Sequence, residues 1–247
     1  MDKIIKISLS LLIVILIAFT SAVAFQVATE TAYLNSLSST YSYKFTITTD
    51  SKFSNVTLFI PVPADPRGYS PIVAGYSARN IAGIPDDWTV TLYDTGKATM
   101  VRIVTPAINP PAGTSAANPF TLTLSSDMKS GTIINTREPV NNSAMFYPVR
   151  NLQPVTCSPA VPEGKGTPQC YRYITSLYAD YEATPDTSVN ITSAIVGKNS
   201  WKVFESGSNE YVTTTSLQMT GSRHGWETMT GILTTGIGSY DTPLPST

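Results

Sequence analysis

The chain has few charged residues. Only 13% of its 247 residues are Asp, Glu, Lys or Arg, about half of the ~25% that is usual in soluble proteins, and the formal net charge is −1. A nucleic-acid-binding protein needs a basic surface, and the sequence contains no cluster of Lys and Arg that could form one. We therefore expect no nucleic-acid partner.

Residues that carry catalytic or metal chemistry are also scarce. His224 is the only histidine, in a segment that indicates a turn, and Cys157 and Cys170 are the only cysteines. These residues cannot supply the four ligands of a structural zinc site. The nucleophile elbow, the phosphate loop, the dinucleotide fingerprint and the EF-hand spacing are all absent. The sequence predicts no metal and no cofactor, and it favours a non-catalytic protein over an enzyme.

A second long apolar run is missing, and the first lies at the N-terminus. No residue from Ile7 to Phe25 is charged, and Lys3 and Lys6 precede this run. It fits a signal peptide cleaved after Ala24 and also a retained anchor that spans the membrane. In both cases the rest of the chain is exported to an extracytoplasmic location, secreted or held at the cell surface. A further alternative is a pilin-like filament subunit, in which the apolar run forms the filament core.

In an exported chain the cysteines can form a disulfide and the sequons can be glycosylated. In an oxidising compartment Cys157 and Cys170 most simply form a disulfide that closes a loop rich in Pro, Gly and Ser. Asn55, Asn141 and Asn190 each begin an Asn-X-Ser/Thr sequon. Strand alternation places Asn55 and Asn190 opposite apolar neighbours, so that a glycan there would point to solvent. We predict one disulfide and three candidate glycosylation sites.

The sequence after residue 40 predicts short strands, because apolar and polar residues alternate with a period of two. Pro61 and Pro63 indicate that the second strand ends at a sheet edge. About ten strands separated by turns predict an all-β chain, an antiparallel β-sandwich of immunoglobulin-like or jelly-roll-like type. The predicted strands cover residues 41–48, 56–62, 88–93, 99–104, 120–124, 144–149, 171–181, 189–196, 201–204, 211–219 and 226–234, with a hairpin turn at 94–97.

This pattern predicts four parts along the chain. A signal peptide or anchor occupies 1–25, a juxtamembrane segment 26–40, the β-sandwich 41–241 and a polar tail 242–247. The sandwich is either one unit or two smaller sandwiches that meet near 150–170.

The strongest candidates for ligand-binding residues lie between 171 and 182. Strand alternation places Tyr171, Tyr173 and Tyr181 on one face, and Asp180 and Glu182 on the other. Aromatic rings suit sugar and protein surfaces, and two carboxylates on one face can serve glycoside chemistry or a cation. The simpler interpretation is that the tyrosines fill the core and the carboxylates face water.

These observations leave three functional hypotheses. The first is a non-catalytic envelope protein, serving in structure or recognition, whose partners are other envelope proteins, glycans or the membrane. The second is a carbohydrate-binding or carbohydrate-acting surface protein that uses the 171–182 segment. The third is the pilin-like filament subunit.

Overall fold

The chain divides into two compact units in a computed structural model that describes residues 2–77, 80–94, 98–158 and 167–240. Unit 1 comprises Met1–Ser38 and Ser200–Gly207, and unit 2 comprises Ser39–Asn199 and Ser208–Thr247. Most of the predicted turn at 94–97, the middle of the predicted 157–170 loop and the predicted tail at 242–247 lie outside the described residues.

The N-terminal apolar run forms one long helix in unit 1. Helix α1 extends over Asp2–Ser36, a segment without Pro or Gly, so nothing in the sequence interrupts it. Its part from Ile7 to Ser36 is long and apolar enough to cross a membrane, and the large apolar side chains from Ile7 to Val27 are exposed. The predicted N-terminal apolar helix is confirmed. It continues through most of the segment that we predicted as juxtamembrane.

The rest of the described chain is mainly β-structure, with two short helices, α2 (Val73–Ser77) and α3 (Pro139–Asn142). The described strands are β1 (Ser38–Thr49), β2 (Phe53–Pro61), β3 (Pro63–Ala64), β4 (Thr89–Asp94), β5 (Thr99–Ile108), β6 (Phe120–Lys129), β7 (Met145–Phe146), β8 (Arg150–Val155), β9 (Gln169–Ala183), β10 (Ser188–Lys202), β11 (Ser206–Thr220) and β12 (Arg223–Gly238).

The strands pair antiparallel, which confirms the predicted fold class. The main sheet has the order β4-β5-β2-β9-β12-β11-β10-β1-β6, with β8 pairing beside β9, and β3 and β7 form a small second sheet. Strands β10, β11 and β12 form a meander, and β9, which precedes the meander in the chain, pairs with β12. This is a Greek-key arrangement, as is common in β-sandwiches.

The main sheet curls into a half-barrel, so that its two arms face each other as the layers of a sandwich do. Strands β1 and β2 are separated in the sheet by four other strands, yet only residues 50–52 connect them. Strands lie about 4.8 Å apart, so a flat sheet would place β1 and β2 about 24 Å from each other. Three connecting residues reach at most about 15 Å. The short connection therefore requires β1 and β2 to lie on opposite arms.

The core of unit 2 fills the space between the arms. Large side chains such as Phe45, Phe53 and Tyr181 are fully buried there. The hydroxyl of Tyr211 donates to the carbonyl of Ala144, just before β7, so the small sheet packs on the concave side. Burial of these rings and aliphatic chains is the main stabilising contribution, about 1.5–3 kcal/mol for each side chain.

Two glycines make room for two of the buried tyrosine rings. A Cβ added to Gly231 would lie 2.3 Å from Cζ of Tyr173, which is its direct cross-strand partner. A Cβ added to Gly197 would lie 2.2 Å from Cε1 of Tyr211. Glycine is therefore required at both positions by the close approach of a ring, although neither glycine has a positive φ.

The disulfide is confirmed, and three local strand predictions are corrected. Cys157 and Cys170 are bonded with their Cα atoms 5.2 Å apart, and they join the end of β8 to the start of β9. Strand β2 lies between β5 and β9 and not at an edge; Pro61 is simply its last residue. Of the predicted strand 144–149 only Met145–Phe146 (β7) is a strand, and β8 begins after it, at Arg150; the predicted strand 201–204 is the end of β10 and the following turn.

Candidate functional site

Four aromatic side chains form a row on the outer face of the main sheet. We call Tyr93, Phe59, Tyr178 and Trp226 the outer aromatic strip. Phe59 and Trp226 lie opposite Tyr178 in the register of β2, β9 and β12, and Tyr93 reaches Phe59 from β4. The centroid distances along the row are 5.0, 5.3 and 5.6 Å, with interplanar angles between 71° and 86°. These are edge-to-face contacts, each worth about 0.5–1.5 kcal/mol beyond the burial of area.

The two ends of the strip remain open to solvent. Trp226 is 57% exposed and Tyr93 is 49% exposed, whereas Phe59 and Tyr178 are half-buried between them. Rings that already contact each other lose little further conformational entropy when a ligand binds, because their orientations are restrained by their neighbours. A row of exposed aromatic rings on one sheet face is therefore a surface suited to binding.

A carboxylate and an imidazole lie beside the strip. Asp180 and His224 are each two residues along their strand from Tyr178 and Trp226, so all four side chains share the outer face. Nδ1 of His224 lies 2.7 Å from Oδ1 of Asp180, and both side chains are open to solvent. Thr57 of β2 lies opposite Asp180 and completes this polar row.

A guanidinium and a hydroxyl lie on the other side of the strip. Ser176 precedes Tyr178 by two residues, and its Oγ lies 2.5 Å from Nη2 of Arg150. Arg102 of β5 lies directly opposite Phe59. The outer aromatic strip is thus flanked by a carboxylate and an imidazole on one side, and by a guanidinium and a hydroxyl on the other.

The three sequon asparagines are exposed. Asn55 adopts a positive φ of 56° where β2 bulges against β9, a conformation that Asn tolerates better than most residues. Its Nδ2 donates to Oε2 of Glu182 over 3.0 Å. Nδ2 of Asn141 donates to Oε2 of Glu138, and Asn190 points outward from β10. The fold therefore leaves all three side chains accessible.

The candidate ligand residues of the 171–182 segment divide between the two faces of β9. Tyr173 and Tyr181 are fully buried, and their place is in the core, out of reach of an external ligand. Burial raises the pKa of Tyr181 to about 12, and the hydroxyl of Tyr173 lies 2.7 Å from Oγ1 of Thr213. Tyr171 is half-buried, with its hydroxyl bonded to Gln169.

Asp180 and Glu182 lie on the outer face, as the alternation indicated, and their aromatic neighbour there is Tyr178. Sequence reasoning missed Phe59, Trp226 and the pairing of His224 with Asp180. The sequence offered one usable signal, since alternation along β9 places Tyr178 on the face of Asp180. The other members come from distant strands, and only the register of β2 and β12 brings them to Tyr178.

The groups on this face can contact a ligand through aromatic rings and through hydrogen bonds. Within the described ranges, no group of three or more His, Cys, Asp or Glu side chains is arranged to hold a metal ion. The solvent-open Asp180–His224 pair lacks the dry surroundings in which electrostatic catalysis is strong. No protein-family model matches the chain, and no match was found among curated proteins or solved structures.

Proposed function

We propose that this chain is an exported envelope protein with a non-catalytic recognition role, and that the outer aromatic strip is its recognition surface. The observation that carries the proposal is the row of four rings in which each ring contacts the next, with solvent-open Tyr93 and Trp226 at its ends. Exposed aromatic rings on a folded surface are costly to leave in water, and clusters of them usually mark a site of interaction.

A glycan is the ligand class that the surroundings of the strip favour. Sugars present apolar C–H faces and hydroxyl edges, and therefore need aromatic rings next to hydrogen-bonding groups. The strip has Asp180 and His224 on one side and Arg150 and Ser176 on the other. These groups offer both donors and acceptors to hydroxyls. This arrangement favours carbohydrate binding over a purely apolar protein contact.

Export and membrane attachment belong to the same proposal. The apolar helix α1 and the disulfide are consistent with an extracytoplasmic chain, either anchored by α1 or released by cleavage after Ala24. The accessible side chains of Asn55, Asn141 and Asn190 would allow glycosylation in such a compartment. The intact mass and the N-terminal sequence of protein from its own host would decide between anchoring and cleavage, and would reveal any attached glycans.

The proposal is tested with the full chain in mild detergent on an array of envelope polysaccharides and oligosaccharides. We expect Trp226→Ala to weaken binding about tenfold, which corresponds to about 1.4 kcal/mol for a lost ring contact. Tyr69→Ala is the matched control, because Tyr69 is exposed and lies outside the strip. Binding that Trp226→Ala leaves intact, or an array without any bound glycan, would contradict the proposal.

The same preparation tests the catalytic alternative. A carbohydrate-acting protein that uses the outer carboxylates would release sugar from a bound glycan, and Asp180→Asn would abolish the release. A non-catalytic protein leaves the glycan intact over long incubation. We expect no release from the unaltered chain, and Asp180→Asn would then change affinity alone.

A further inference from the structure

The turn between β10 and β11 carries a second aromatic group, in unit 1, separate from the outer strip. We call residues Ser200–Gly207 the hairpin tip. The ring of Phe204 stacks on that of Phe25 of α1, with centroids 5.9 Å apart and an interplanar angle of 11°. Trp201 meets Tyr33 edge-on at 5.6 Å. The hairpin tip therefore lies along the C-terminal turns of the apolar helix.

The contacts near the end of α1 are tightly packed. Tyr33 is 2% exposed and Trp201 is 7% exposed. The backbone N–H of Lys202 donates to Oγ of Ser36 over 2.9 Å. Gly207 is required by this packing, since an added Cβ would lie 2.6 Å from Nε1 of Trp201. The end of α1 and the base of the hairpin tip thus form one small, well-defined structure.

The outermost contact differs from these, because both of its rings are exposed. Phe204 is 74% exposed and Phe25 is 63% exposed, so each buries little surface on the other. A phenyl group held in water by a packed structure is unfavourable by about 25 cal/mol for each Å² of apolar area. Two such rings side by side imply that an apolar environment covers them.

The position of Phe25 along α1 indicates what that environment is. The uncharged run from Ile7 to Phe25 has 19 residues and a helical length of about 28 Å, close to the ~30 Å hydrocarbon thickness of a bilayer. With Lys3 and Lys6 on one side of the membrane, the opposite boundary falls at Phe25. Phe204 stacks on Phe25 and is therefore at the same depth, the headgroup–acyl boundary into which the Phe side chains of interfacial helices insert.

We propose that the hairpin tip is a membrane-contact site, in which Phe204 inserts into the lipid headgroup–acyl boundary beside α1. Lys202 and Glu205 flank Phe204 and are exposed, so the Lys202 ammonium is free to approach lipid phosphates. Tyr33 and Trp201, about 12 Å farther along the helix, lie beyond the hydrocarbon. The site holds the hairpin tip against the bilayer and gives the anchor two points of contact. This inference rests on the anchored alternative of the proposed function, in which α1 is retained.

The test places a fluorophore on a single introduced cysteine in the full chain, reconstituted in phospholipid vesicles. The two native cysteines are bonded to each other, so Phe204→Cys supplies the only free thiol. We expect its label to be quenched by lipids that carry a bromine or nitroxide near the headgroup, and to be several-fold less accessible to aqueous iodide than a label at Tyr69→Cys. The label at Ile15→Cys reports separately on whether α1 spans the membrane.

The outcomes separate the two proposals. If Ile15→Cys responds to quenchers deep in the bilayer while Phe204→Cys is as open to iodide as Tyr69→Cys, the anchor stands and the membrane-contact site is refuted. If Ile15→Cys shows no lipid quenching, both fail. If Phe204→Cys is shielded from iodide only at high protein-to-lipid ratio and without lipid quenching, a second copy of the chain covers Phe204, which also overturns the site.

Discussion

Replacing Asn199 should destabilise unit 2 more than any exposed asparagine does, because its amide group is buried and fully hydrogen-bonded. Oδ1 accepts from Oγ of Ser39 over 2.7 Å and from the N–H of Ile134 over 3.0 Å. Nδ2 donates to the carbonyl of Ile134 over 2.8 Å and to Oδ1 of Asn209 over 2.9 Å. Both donors and both acceptor positions of the amide are therefore used.

Asn199→Ala would leave the buried N–H and C=O of Ile134 without their partner. Each unsatisfied buried group costs about 1–3 kcal/mol, so we expect a loss of about 3–5 kcal/mol in the free energy of unfolding. This is a large share of the 5–15 kcal/mol that is typical of folded proteins. In Asn199→Asp one carboxylate oxygen still accepts from Ser39 and from the N–H of Ile134. The other oxygen replaces Nδ2 and faces the Ile134 carbonyl and Oδ1 of Asn209, which are both acceptors. We expect it to be at least as harmful as Asn199→Ala.

The measurement is urea unfolding of the full chain in mild detergent, followed by tryptophan fluorescence. Asn190→Ala is the matched control, because Asn190 is exposed on the same strand β10, and we expect it to change stability by less than about 0.5 kcal/mol. A result for Asn199→Ala within about 1 kcal/mol of that control would refute the reasoning, since it would show that the network contributes little.

Three further predictions follow from local geometry. Gly231→Ala should cost about 1–3 kcal/mol by forcing the Tyr173 ring aside, whereas Gly131→Ala, with open space around it, should not, as thermal unfolding will show. Burial alone raises the pKa of Asp65, but hydrogen bonds from the Arg67 side chain and from backbone N–H groups lower it overall from 3.8. The ionised Asp65 carboxylate therefore stabilises the folded state fully at pH values above the unfolded pKa of 3.8, and this stabilisation is lost as the pH falls through the lower folded-state pKa. Acid titration of the free energy of unfolding should show this loss in the unaltered chain and not in Asp65→Asn. Reducing the disulfide should lower stability by about 3 kcal/mol without unfolding the sheet, as judged by circular dichroism; loss of the β-sheet signal on reduction would be the contrary result.

Local patterns predicted the elements well because each depends on neighbouring residues. An uncharged run without Pro or Gly is sufficient for α1, and the alternation around Tyr43 and Phe45 is sufficient for β1. The errors arose where the structure of a segment depended on its contacts with distant parts of the chain. Pro61 indicated a sheet edge, yet it ends a strand that is paired on both sides. Trp201 and Phe204 indicated a separate strand, yet Trp201 lies at the end of β10 and Phe204 in the turn after it, and both contact α1.

The candidate sites were less predictable because their members come from distant parts of the chain. Alternation alone could place Tyr178 with Asp180, since both lie on β9. It could not bring Phe59, Trp226 or His224 to them, because the pairing of β2 and β12 with β9 is decided by which faces of the whole sheet are buried. The stacking of Phe204 on Phe25 likewise joins residues that are far apart in sequence.

The sequence by itself determined an apolar helix followed by antiparallel strands, one disulfide and the scarcity of catalytic groups. These features depend on composition and on periods of two or 3.6 residues, which are local. Only the tertiary structure decided the strand order, the curl that sets β1 opposite β2, and the two aromatic surfaces, one on the outer face of the sheet and one beside α1. The physical reason is that register and curvature follow from burying all inner faces at once, and no single segment contains that information.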